Sequence, residues 1–264
     1  MENFSGYILR KNIPQQKTVI QFAQKVKEYL FPILNDLQTF KEEQTIMLRT
    51  IEKELQSIVK DICSYCPCNT DFVTSQFIES LPEIREKLIE DAKAILQTDP
   101  SAYSMEEVFI AYPGFAAILA YRIAHKLYTL KLSIVPRIIT EWAHSKTGID
   151  INPGAQIDTP CIIDHGTGIV IGETTVIGKN VRIYQGVTLG ALAVDKATTG
   201  KRHPTIEDNV ILYANSTILG GETVIGHDSI IGGNCFITQS VPPQSLARHE
   251  ANITVRKIAE KDII

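Results

Sequence analysis

A six-residue repeat of isoleucine or leucine runs through the second half of the chain and limits its fold more than any other feature. After Gly148 the repeat has only two shifts of phase, of two residues before Ile171 and of one before Ile225, and one long interruption after Leu189. A period of six fits neither a long helix nor a hairpin meander. The repeated positions are Ile151, Ile157, Ile163, Ile171, Ile177, Ile183, Leu189, Ile206, Leu212, Ile218, Ile225, Ile231 and Ile237.

This period predicts a left-handed parallel β-helix, in which each six-residue unit forms one flat face and three faces close a coil. The repeated residue points into a triangular prism and stacks on its counterpart one coil away. Small or β-branched residues such as Ala155, Cys161 and Val181 stand four places after most of these positions, where they fit beneath a corner. The units give about four coils, and a stacked ladder of this kind needs a cap at each end.

The first half of the chain has helical periodicity instead. Apolar residues recur at helical spacing from Val19, from Ile46 and from Ile84, and Ser104-Met-Glu-Glu107 has the pattern of a capping box. Two more helices are predicted before residue 147. The predicted class is α+β, with an all-helical domain at 1–146, the β-helix at 147–241 with a loop at 190–204, and a C-terminal tail at 242–264.

Composition and charge limit the class of protein and the kinds of molecule that it can bind. The chain has 264 residues, of which 44% are hydrophobic and 21% are charged, and this excludes a disordered or fibrous protein. Its net charge of −4 argues against nucleic acid or an anionic membrane as the main partner. The longest apolar run, 115–121, is too short to span a bilayer, and no charged-then-apolar leader precedes it. These features predict a soluble, cytoplasmic protein.

The five cysteines form a poor disulfide framework, because their number is odd. Cys63, Cys66 and Cys68 form a C-x-x-C-x-C cluster, which raises the question of a metal site. A closed zinc site usually has four ligands, and Cys161 and Cys235 lie about a hundred residues or more away. We therefore predict no metal, and three thiols in a turn between helices.

The long interruption of the repeat predicts a loop that leaves the prism. Residues 190–204 contain no six-residue unit, and they carry Lys196, Lys201, Arg202 and His203 in an otherwise acidic protein. Loops on repeat scaffolds commonly carry binding groups. Either these charges serve a ligand, or they are merely solvated.

Asp164-His165-Gly166 lies at the first shift of phase, so the coil is predicted to be irregular where a histidine occurs. Histidine takes up a proton near neutral pH, and as a general base it needs an acceptor for its other ring nitrogen. Asp150 lies 15 residues before His165, close to the length of one coil, so the two can lie on adjacent coils. Without further information, a histidine beside an aspartate on a turn is more commonly a surface residue.

Four segments of the repeat region and two ahead of it form a recognisable set. They are Gly148–Pro153, Ile163–Thr174, Gln185–Gly190, Lys201–Pro204, Thr98-Asp-Pro100 and Tyr112-Pro-Gly-Phe115. Together they resemble the serine O-acetyltransferases of the hexapeptide-repeat acyltransferase superfamily, over roughly Asp99 to Val241. The repeats alone indicate only the superfamily, whereas Asp-His-x-Thr-Gly with Arg-His-Pro is specific to this branch.

The resemblance implies that an acetyl group passes from acetyl-CoA to the hydroxyl of L-serine, which gives O-acetyl-L-serine for cysteine biosynthesis. His165 aligns with the general base of the family, and Asp150 aligns with the carboxylate that orients it. A base is chemically required, because a serine hydroxyl is a weak nucleophile until its proton is removed during attack.

The resemblance also assigns the binding of serine. Asp99 and Asp164 match the acids that hold the serine ammonium. Arg202 matches the group that takes the serine carboxylate, with His203 beside it. These residue types suit the substrate, because a zwitterion needs opposite charges at a fixed separation and an arginine can bind a carboxylate through two hydrogen bonds.

An oxyanion donor and a CoA surface follow from the same resemblance. The donor lies in a Leu-Gly-Gly turn in the family, which here reads Leu189-Gly190-Ala191. Alanine keeps the backbone N–H, so the role survives unless the turn requires a positive φ at Ala191. The CoA arm is expected along the coil edges near Ala214 and Gly233, and no metal is needed.

Further expectations concern partners. L-Cysteine, the end product of the pathway, inhibits many family members by occupying the serine site. Family members often end in an isoleucine that docks into O-acetylserine sulfhydrylase, and this chain ends in Ile263-Ile264. Because prism acyltransferases generally need a neighbouring subunit to complete each site, we expect a homotrimer, or a hexamer in which the helical halves pair two trimers.

Three other functions stay open. An acetyltransferase of the same superfamily acting on homoserine or a sugar is the nearest, but a neutral sugar needs neither Asp99 nor Arg202. A carbonic-anhydrase-type enzyme needs three histidines, two of them close in sequence, whereas His165, His203 and His227 are far apart. A non-enzymatic spacer or regulatory partner would have the fold and the sulfhydrylase contact without turnover.

Overall fold

The computed structural model describes residues 13–34, 41–63, 69–192 and 200–250. Within these ranges the chain forms six α-helices, one 3-10 turn and fourteen short strands. Some of the residues discussed above lie outside them, namely Cys66, Cys68, Lys196 and Ile264, as does the side chain of Cys63.

The helical half confirms the helical periodicity of the sequence. At the start of α4 (Met105–Ala111) half of the predicted capping box is formed, since the Ser104 hydroxyl accepts a hydrogen bond from the Glu107 N–H at 3.1 Å. The Glu107 carboxylate accepts from the Tyr103 N–H at 2.8 Å instead of from that of Ser104. Among the described helices none alone is long and apolar enough to cross a membrane. α4 and α5 (Pro113–Thr129), which meet at an angle of 76°, reach that length and apolar composition only when taken together. The elements are α1 (Gln16–Leu30), the 3-10 turn (Pro32–Leu34), α2 (Lys41–Cys63), α3 (Thr70–Thr98), α4 (Met105–Ala111), α5 (Pro113–Thr129) and α6 (Val135–Thr147).

The second half is a three-sided parallel β-helix, as the repeat predicts. Sheet A has the order β1-β4-β7-β10-β13, sheet B has β11-β8-β5-β2 and sheet C has β14-β12-β9-β6-β3. The strands are β1 (Asp150–Ile151), β2 (Gln156–Ile157), β3 (Cys161–Ile163), β4 (Val170–Ile171), β5 (Val176–Ile177), β6 (Val181–Ile183), β7 (Thr188–Gly190), β8 (Thr205–Ile206), β9 (Ile211–Leu212), β10 (Thr217–Leu219), β11 (Val224–Ile225), β12 (Ile230–Ile231), β13 (Phe236–Ile237) and β14 (Leu246–Ala247).

The repeated residues stack in columns inside the prism. Ile151 pairs with Ile171, and Ile171 pairs in turn with Leu189 on the next coil. Of the thirteen repeated positions twelve are buried, and Ile237 near the C-terminal end is partly buried. The coils number about five rather than four, because β14 in the predicted tail pairs with β12.

A buried ion pair joins the helical half to the first coil. Arg122 of α5 donates two hydrogen bonds to Asp91 of α3, at 2.6 and 2.8 Å, and both side chains are almost fully buried. The same guanidinium donates to the carbonyl of Ile157 at 3.3 Å, while Asp91 accepts from the Cys161 N–H at 2.9 Å. These contacts fix two helices to the prism beside the turn that leads to the candidate site.

Asp91→Ala is expected to lower the free energy of unfolding by about 3–5 kcal/mol, because it leaves the Arg122 charge buried without a partner. The measurement is urea unfolding followed by circular dichroism. Glu90→Ala is the matched control, because Glu90 is the exposed neighbour on the same helix. A difference between the two variants of less than about 1 kcal/mol, the size typical of a surface pair, would contradict this role.

Candidate active site

Two of the three corners of the prism carry the predicted site residues. The turns from sheet C to sheet A form what we call the histidine corner, which comprises 164–169, 184–187, 213–216 and 232–235. The turns from sheet A to sheet B form the loop corner, whose described residues are 152–155, 172–175, 191–192, 200–204 and 220–223. Because neighbouring strands lie about 4.8 Å apart, each corner is a column of turns along the prism.

His165 projects from the histidine corner at the first coil. Its φ is +56° and that of Gly166 is +91°, so two consecutive residues adopt a left-handed conformation where the sequence has two extra residues. Non-glycine residues seldom adopt such a conformation, and they recur at functional sites. The ring is 70% exposed, and its Nδ1 lies 3.8 Å from an Asp164 carboxylate oxygen. The histidine is therefore accessible and has a carboxylate beside it.

Asp99 reaches the same corner from the end of α3. Its carboxylate accepts hydrogen bonds from the Tyr112 hydroxyl at 2.7 Å and from the Ser101 N–H at 2.8 Å. These bonds, with a smaller contribution from His165, hold the pKa of Asp99 below its ordinary value, and the pKa of the Tyr112 phenol rises to about 12. Asp99 is therefore an anion near His165 that is held in place by Tyr112.

Close backbone contact brings Tyr112 to this position. Gly114, at the start of α5, leaves no room for a Cβ, which would lie 2.3 Å from the carbonyl oxygen of Ile163. A side chain at Gly114 would thus push α5 away from the strand that leads into His165. The Tyr112-Pro-Gly-Phe115 segment of the sequence had no assigned role, and this contact supplies one.

Asp150 lies next to the histidine corner at the start of β1. Its N–H donates to the carbonyl of Ile169 at 2.9 Å, so it stands one coil from the turn that contains His165. No hydrogen bond joins the Asp150 carboxylate to the His165 ring in the described part of the chain. The two residues are neighbours at one corner, and the nearer carboxylate in this protomer is that of Asp164.

Arg202 and His203 lie at the other corner. The Arg202 guanidinium forms an ion pair with Glu173, which follows β4 on the second coil. The Thr174 hydroxyl accepts hydrogen bonds from the backbone N–H groups of Arg202 at 2.9 Å and His203 at 3.1 Å. Lys201 also bonds the Thr174 carbonyl at 3.1 Å. Thr174 therefore fixes the end of the loop onto the prism.

His203 is buried against the second coil. Its Nδ1 accepts a hydrogen bond from the Thr174 N–H at 3.1 Å and lies 2.9 Å from the Thr174 hydroxyl. Burial, followed by the nearby Arg202 charge, lowers the pKa of the imidazole below its ordinary value. Because Nδ1 is an acceptor, the ring proton of the neutral form lies on Nε2. His203 is thus a neutral hydrogen-bond donor whose orientation is fixed.

Thr174→Val is expected to release this loop end, because valine keeps the shape of threonine and loses the hydroxyl. The partly buried N–H groups of Arg202 and His203 then lose their acceptor, which costs at most about 1–3 kcal/mol. We expect the pKa of His203 to move up toward its ordinary value, as measured by NMR titration. Thr174→Ser keeps the hydroxyl and serves as the control. An unchanged His203 titration in the valine variant would contradict the anchoring role.

The structure therefore brings the predicted residues together in two groups. Asp99, Asp150, Asp164 and His165 lie at or beside the histidine corner, and Arg202 lies with His203 at the loop corner. One face of the prism separates these corners, and six residues at about 3.3 Å each make that face roughly 15–20 Å wide. One protomer does not place the arginine beside the histidine.

The residues expected to contact CoA are divided in the same way. Gly190 ends β7 at the loop corner, and Ala191 after it is not among the described residues of positive φ, so alanine is accommodated there. No hydrogen bond to another described residue involves the Ala191 N–H. Ala214 and Gly233 lie on successive coils of the histidine corner, where a Cβ on Gly233 would meet the Ala214 carbonyl at 3.1 Å.

Several contacts of the site were missed by the sequence reasoning. Glu173 and Thr174 belong to a segment that was recognised, but pairing with residues 27 to 29 positions away follows only from the coil geometry. Tyr184 and Tyr213 stand beside His165 on the same corner and had no assigned role. In the described ranges, no group of three or more histidine, cysteine, aspartate or glutamate side chains is arranged to hold a metal.

Several curated proteins similar in sequence to this chain are named serine acetyltransferase. No family model matches the chain. It is 51% identical over 179 residues to "Serine acetyltransferase, plasmid" of Synechococcus elongatus, a match that covers 66% of this chain and 56% of that protein. It is also 45% identical over 157 residues to a serine acetyltransferase of Staphylococcus epidermidis, covering 60% of this chain and 72% of that protein. The chain thus spans little more than half the length of the first of these relatives.

Solved structures agree with the fold over most of the chain. Serine acetyltransferase 1 of Entamoeba histolytica, in complex with L-cysteine, superimposes with a TM-score of 0.76 at 34% identity and 86% coverage of both chains. The serine acetyltransferase of Neisseria gonorrhoeae in complex with serine gives 0.61 at 26% identity, covering 93% of this chain and 97% of that one. A serine acetyltransferase in complex with CoA gives 0.60 at 26% identity, covering 87% and 98%. These findings confirm the resemblance seen in the sequence, and the chain belongs to the serine acetyltransferase family.

Proposed function

We propose that this chain is a serine O-acetyltransferase, which transfers the acetyl group of acetyl-CoA to the hydroxyl of L-serine and releases O-acetyl-L-serine and CoA. The observation that carries the proposal is the exposed His165 at an irregular corner, with an Asp164 carboxylate oxygen 3.8 Å from its Nδ1. Relatives named serine acetyltransferase, and neighbours solved with serine and with CoA, support the same reaction.

His165 is assigned the role of general base. It accepts the proton of the serine hydroxyl while the oxygen forms a bond to the thioester carbonyl carbon. The carbonyl oxygen becomes an oxyanion, the C–S bond then breaks, and the proton passes to the departing thiolate of CoA. The backbone N–H of Ala191, which in the trimer proposed below comes from the neighbouring protomer, stabilises the oxyanion. Asp150, one coil away, orients the imidazole.

The charges of the two corners match the two ends of serine. Asp99 and Asp164 bind the ammonium group, since both are carboxylates beside His165 and hydrogen bonds favour the ionised form of Asp99. Arg202 binds the carboxylate, and His203 donates from Nε2. Such a site favours an amino acid over a neutral sugar, for which neither the acidic nor the basic group has a partner.

We propose that a homotrimer completes each site. A three-fold arrangement of prisms can place the histidine corner of one protomer against the loop corner of the next, which supplies Arg202 and His203 to His165. The residues expected to contact CoA lie at both corners, Ala191 at the loop corner and Ala214 at the histidine corner. Acetyl-CoA bound between the two facing corners would therefore contact both sets. A hexamer formed through the helical halves is a further step of the same proposal.

Two further partners belong to this proposal. L-Cysteine has the ammonium and carboxylate of serine, and structures of family members contain it, so we propose that it competes with serine at the same site. A complex with O-acetylserine sulfhydrylase through Ile264 is proposed on the C-terminal sequence alone.

The test is CoA release, followed with a thiol reagent, from acetyl-CoA mixed with L-serine, L-homoserine or a panel of sugars. We expect turnover with L-serine, and an increase of its KM when L-cysteine is added. Turnover with a sugar or homoserine alone would keep the fold and reject the substrate. No turnover from a folded protein would favour a non-enzymatic role.

A further inference from the structure

A carboxylate of the loop corner holds the guanidinium of Arg202. Glu173 lies in the turn that follows β4, and its Oε2 accepts a hydrogen bond from Nη2 of Arg202. Each of the two side chains is 35% exposed. The next residue, Thr174, accepts a hydrogen bond from the backbone N–H of Arg202 at 2.9 Å. One turn of the prism therefore binds both the main chain and the charged end of the arginine.

A glycine on the preceding coil limits where the Glu173 side chain can lie. A Cβ placed on Gly154 would be 2.8 Å from Cγ of Glu173 and 3.1 Å from Cζ and the hydroxyl of Tyr128. The stem of Glu173 and the ring of Tyr128, at the end of α5, therefore both pack on the bare backbone of Gly154. The Tyr128 hydroxyl lies 3.4 Å from Oε1 of Glu173, the carboxylate oxygen that does not bind Arg202. These contacts restrict the orientations that Glu173 can adopt.

The ion pair leaves donors of Arg202 available. A guanidinium carries its N–H groups in a rigid planar fork. Among the described residues only Glu173 accepts a hydrogen bond from this guanidinium, and it does so through Nη2. The remaining donors can bind a further carboxylate. In the proposed reaction that carboxylate is the one of serine, so Glu173 does not have to leave before the substrate binds.

Two effects of Glu173 on serine binding oppose each other. Its negative charge weakens the attraction between Arg202 and a second carboxylate. Its hydrogen bond orders a long, flexible side chain that serine would otherwise have to order on binding. Because both partners are exposed to water, solvent screens the first effect, whereas the second does not depend on screening. The net effect is therefore expected to favour binding.

We propose that Glu173 positions the guanidinium of Arg202 for the carboxylate of serine. Glu173 is thus a positioning residue, which acts through Arg202 and does not itself contact the substrate. This inference rests on the proposed function and adds a residue to the carboxylate-binding half of that site. It also connects α5 to that half, since Tyr128 and Glu173 pack on the same glycine.

The experiment compares Glu173→Ala and Glu173→Gln with the wild type. Glutamine keeps the length of the side chain and an oxygen that can accept from Arg202, and it removes the charge. Glu141→Ala is the matched control, because Glu141 also pairs with an arginine, Arg137, on α6 outside the prism. The assays give kcat and both KM values from CoA release, and the unfolding temperature from circular dichroism. The reaction of Arg202 with phenylglyoxal, an arginine reagent, is followed by peptide mass spectrometry and needs no turnover.

We expect Glu173→Ala to raise the KM for serine about fivefold to tenfold, the size expected when one flexible side chain loses its order before binding. The values of kcat and of the KM for acetyl-CoA should stay close to those of the wild type. Glu173→Gln should resemble the wild type more than Glu173→Ala does, because it keeps the hydrogen bond. Arg202 should react faster with phenylglyoxal in Glu173→Ala, and Glu141→Ala should change neither this rate nor the serine kinetics.

Several results would overturn the inference. A lower KM for serine in both Glu173 variants would show that Glu173 competes with the substrate. An unchanged KM for serine, or an unchanged reactivity of Arg202, in Glu173→Ala would show that Glu173 does not position the guanidinium. A parallel rise of both KM values with a lower unfolding temperature would show a purely structural role. Wild-type protein that does not acetylate serine, together with faster modification of Arg202 in Glu173→Ala, would instead reject the proposed function and keep the ordering of Arg202 by Glu173.

Discussion

His165→Ala is expected to lower kcat for serine acetylation by roughly 10²–10⁴-fold, the usual contribution of a positioned general base. The ring stands on an exposed insertion of the corner, where it packs loosely and is 70% exposed. Its removal should therefore leave the fold, and the binding of CoA, almost unchanged. Steady-state kinetics with acetyl-CoA and serine measure the first effect, and calorimetry with CoA measures the second.

A second histidine of the prism provides the control for this variant. Like His165, His227 is exposed, at 49%, and has an adjacent aspartate, since its Nδ1 lies 2.8 Å from an Asp228 carboxylate oxygen. Unlike His165, it lies at the third corner of the prism, away from both groups of site residues. We expect His227→Ala to retain wild-type kcat. Equal losses in the two variants, or a His165→Ala protein that keeps more than about a tenth of wild-type kcat, would remove His165 from the base role.

The fold was accessible from the sequence because the period of a β-helix is local. Each six-residue unit needs an apolar residue at one position, so Ile151, Ile171 and Leu189 report their burial without any knowledge of their partners. The shift of phase before Ile171 likewise marks the irregular turn of His165 in the structure. The position at which a repeat is interrupted can thus indicate a candidate site.

The contacts that hold the site were not accessible in this way. Asp91 and Arg122 both lie on helices whose apolar spacing predicts a buried face. Nothing in that spacing indicates that the two side chains form an ion pair beside the first coil. Tyr112 orients Asp99 through a bond across 13 residues that follow no regular spacing. Such pairs depend on how helices dock onto the prism, which is a tertiary property that local patterns do not specify.

The separation of the corners has the most direct consequence for assembly. Counting units along the chain places the turn of His165 between sheets C and A, and places the turn of Arg202 between sheets A and B. A serine molecule, which is only a few ångströms long, cannot contact both residues across a prism face roughly 15–20 Å wide. Either Arg202 does not bind the substrate, or the two residues come from different protomers.

Assays of His165→Ala and Arg202→Ala, singly and mixed, decide between these alternatives. If Arg202 does not bind the substrate, Arg202→Ala alone stays active. His165→Ala and Arg202→Ala proteins are expected to be nearly inactive alone, and co-refolding them in equal amounts should restore activity at about a quarter of the sites, those with an intact His165 facing an intact Arg202. The control mixes His165→Ala with the double variant H165A/R202A, a combination that offers no intact pair. Activity in the first mixture and none in the second would establish a shared site. If co-refolded trimers of the single variants stay inactive, each protomer must complete its own site, and Arg202 would have to reach His165 by a rearrangement of residues 200–204 away from Glu173.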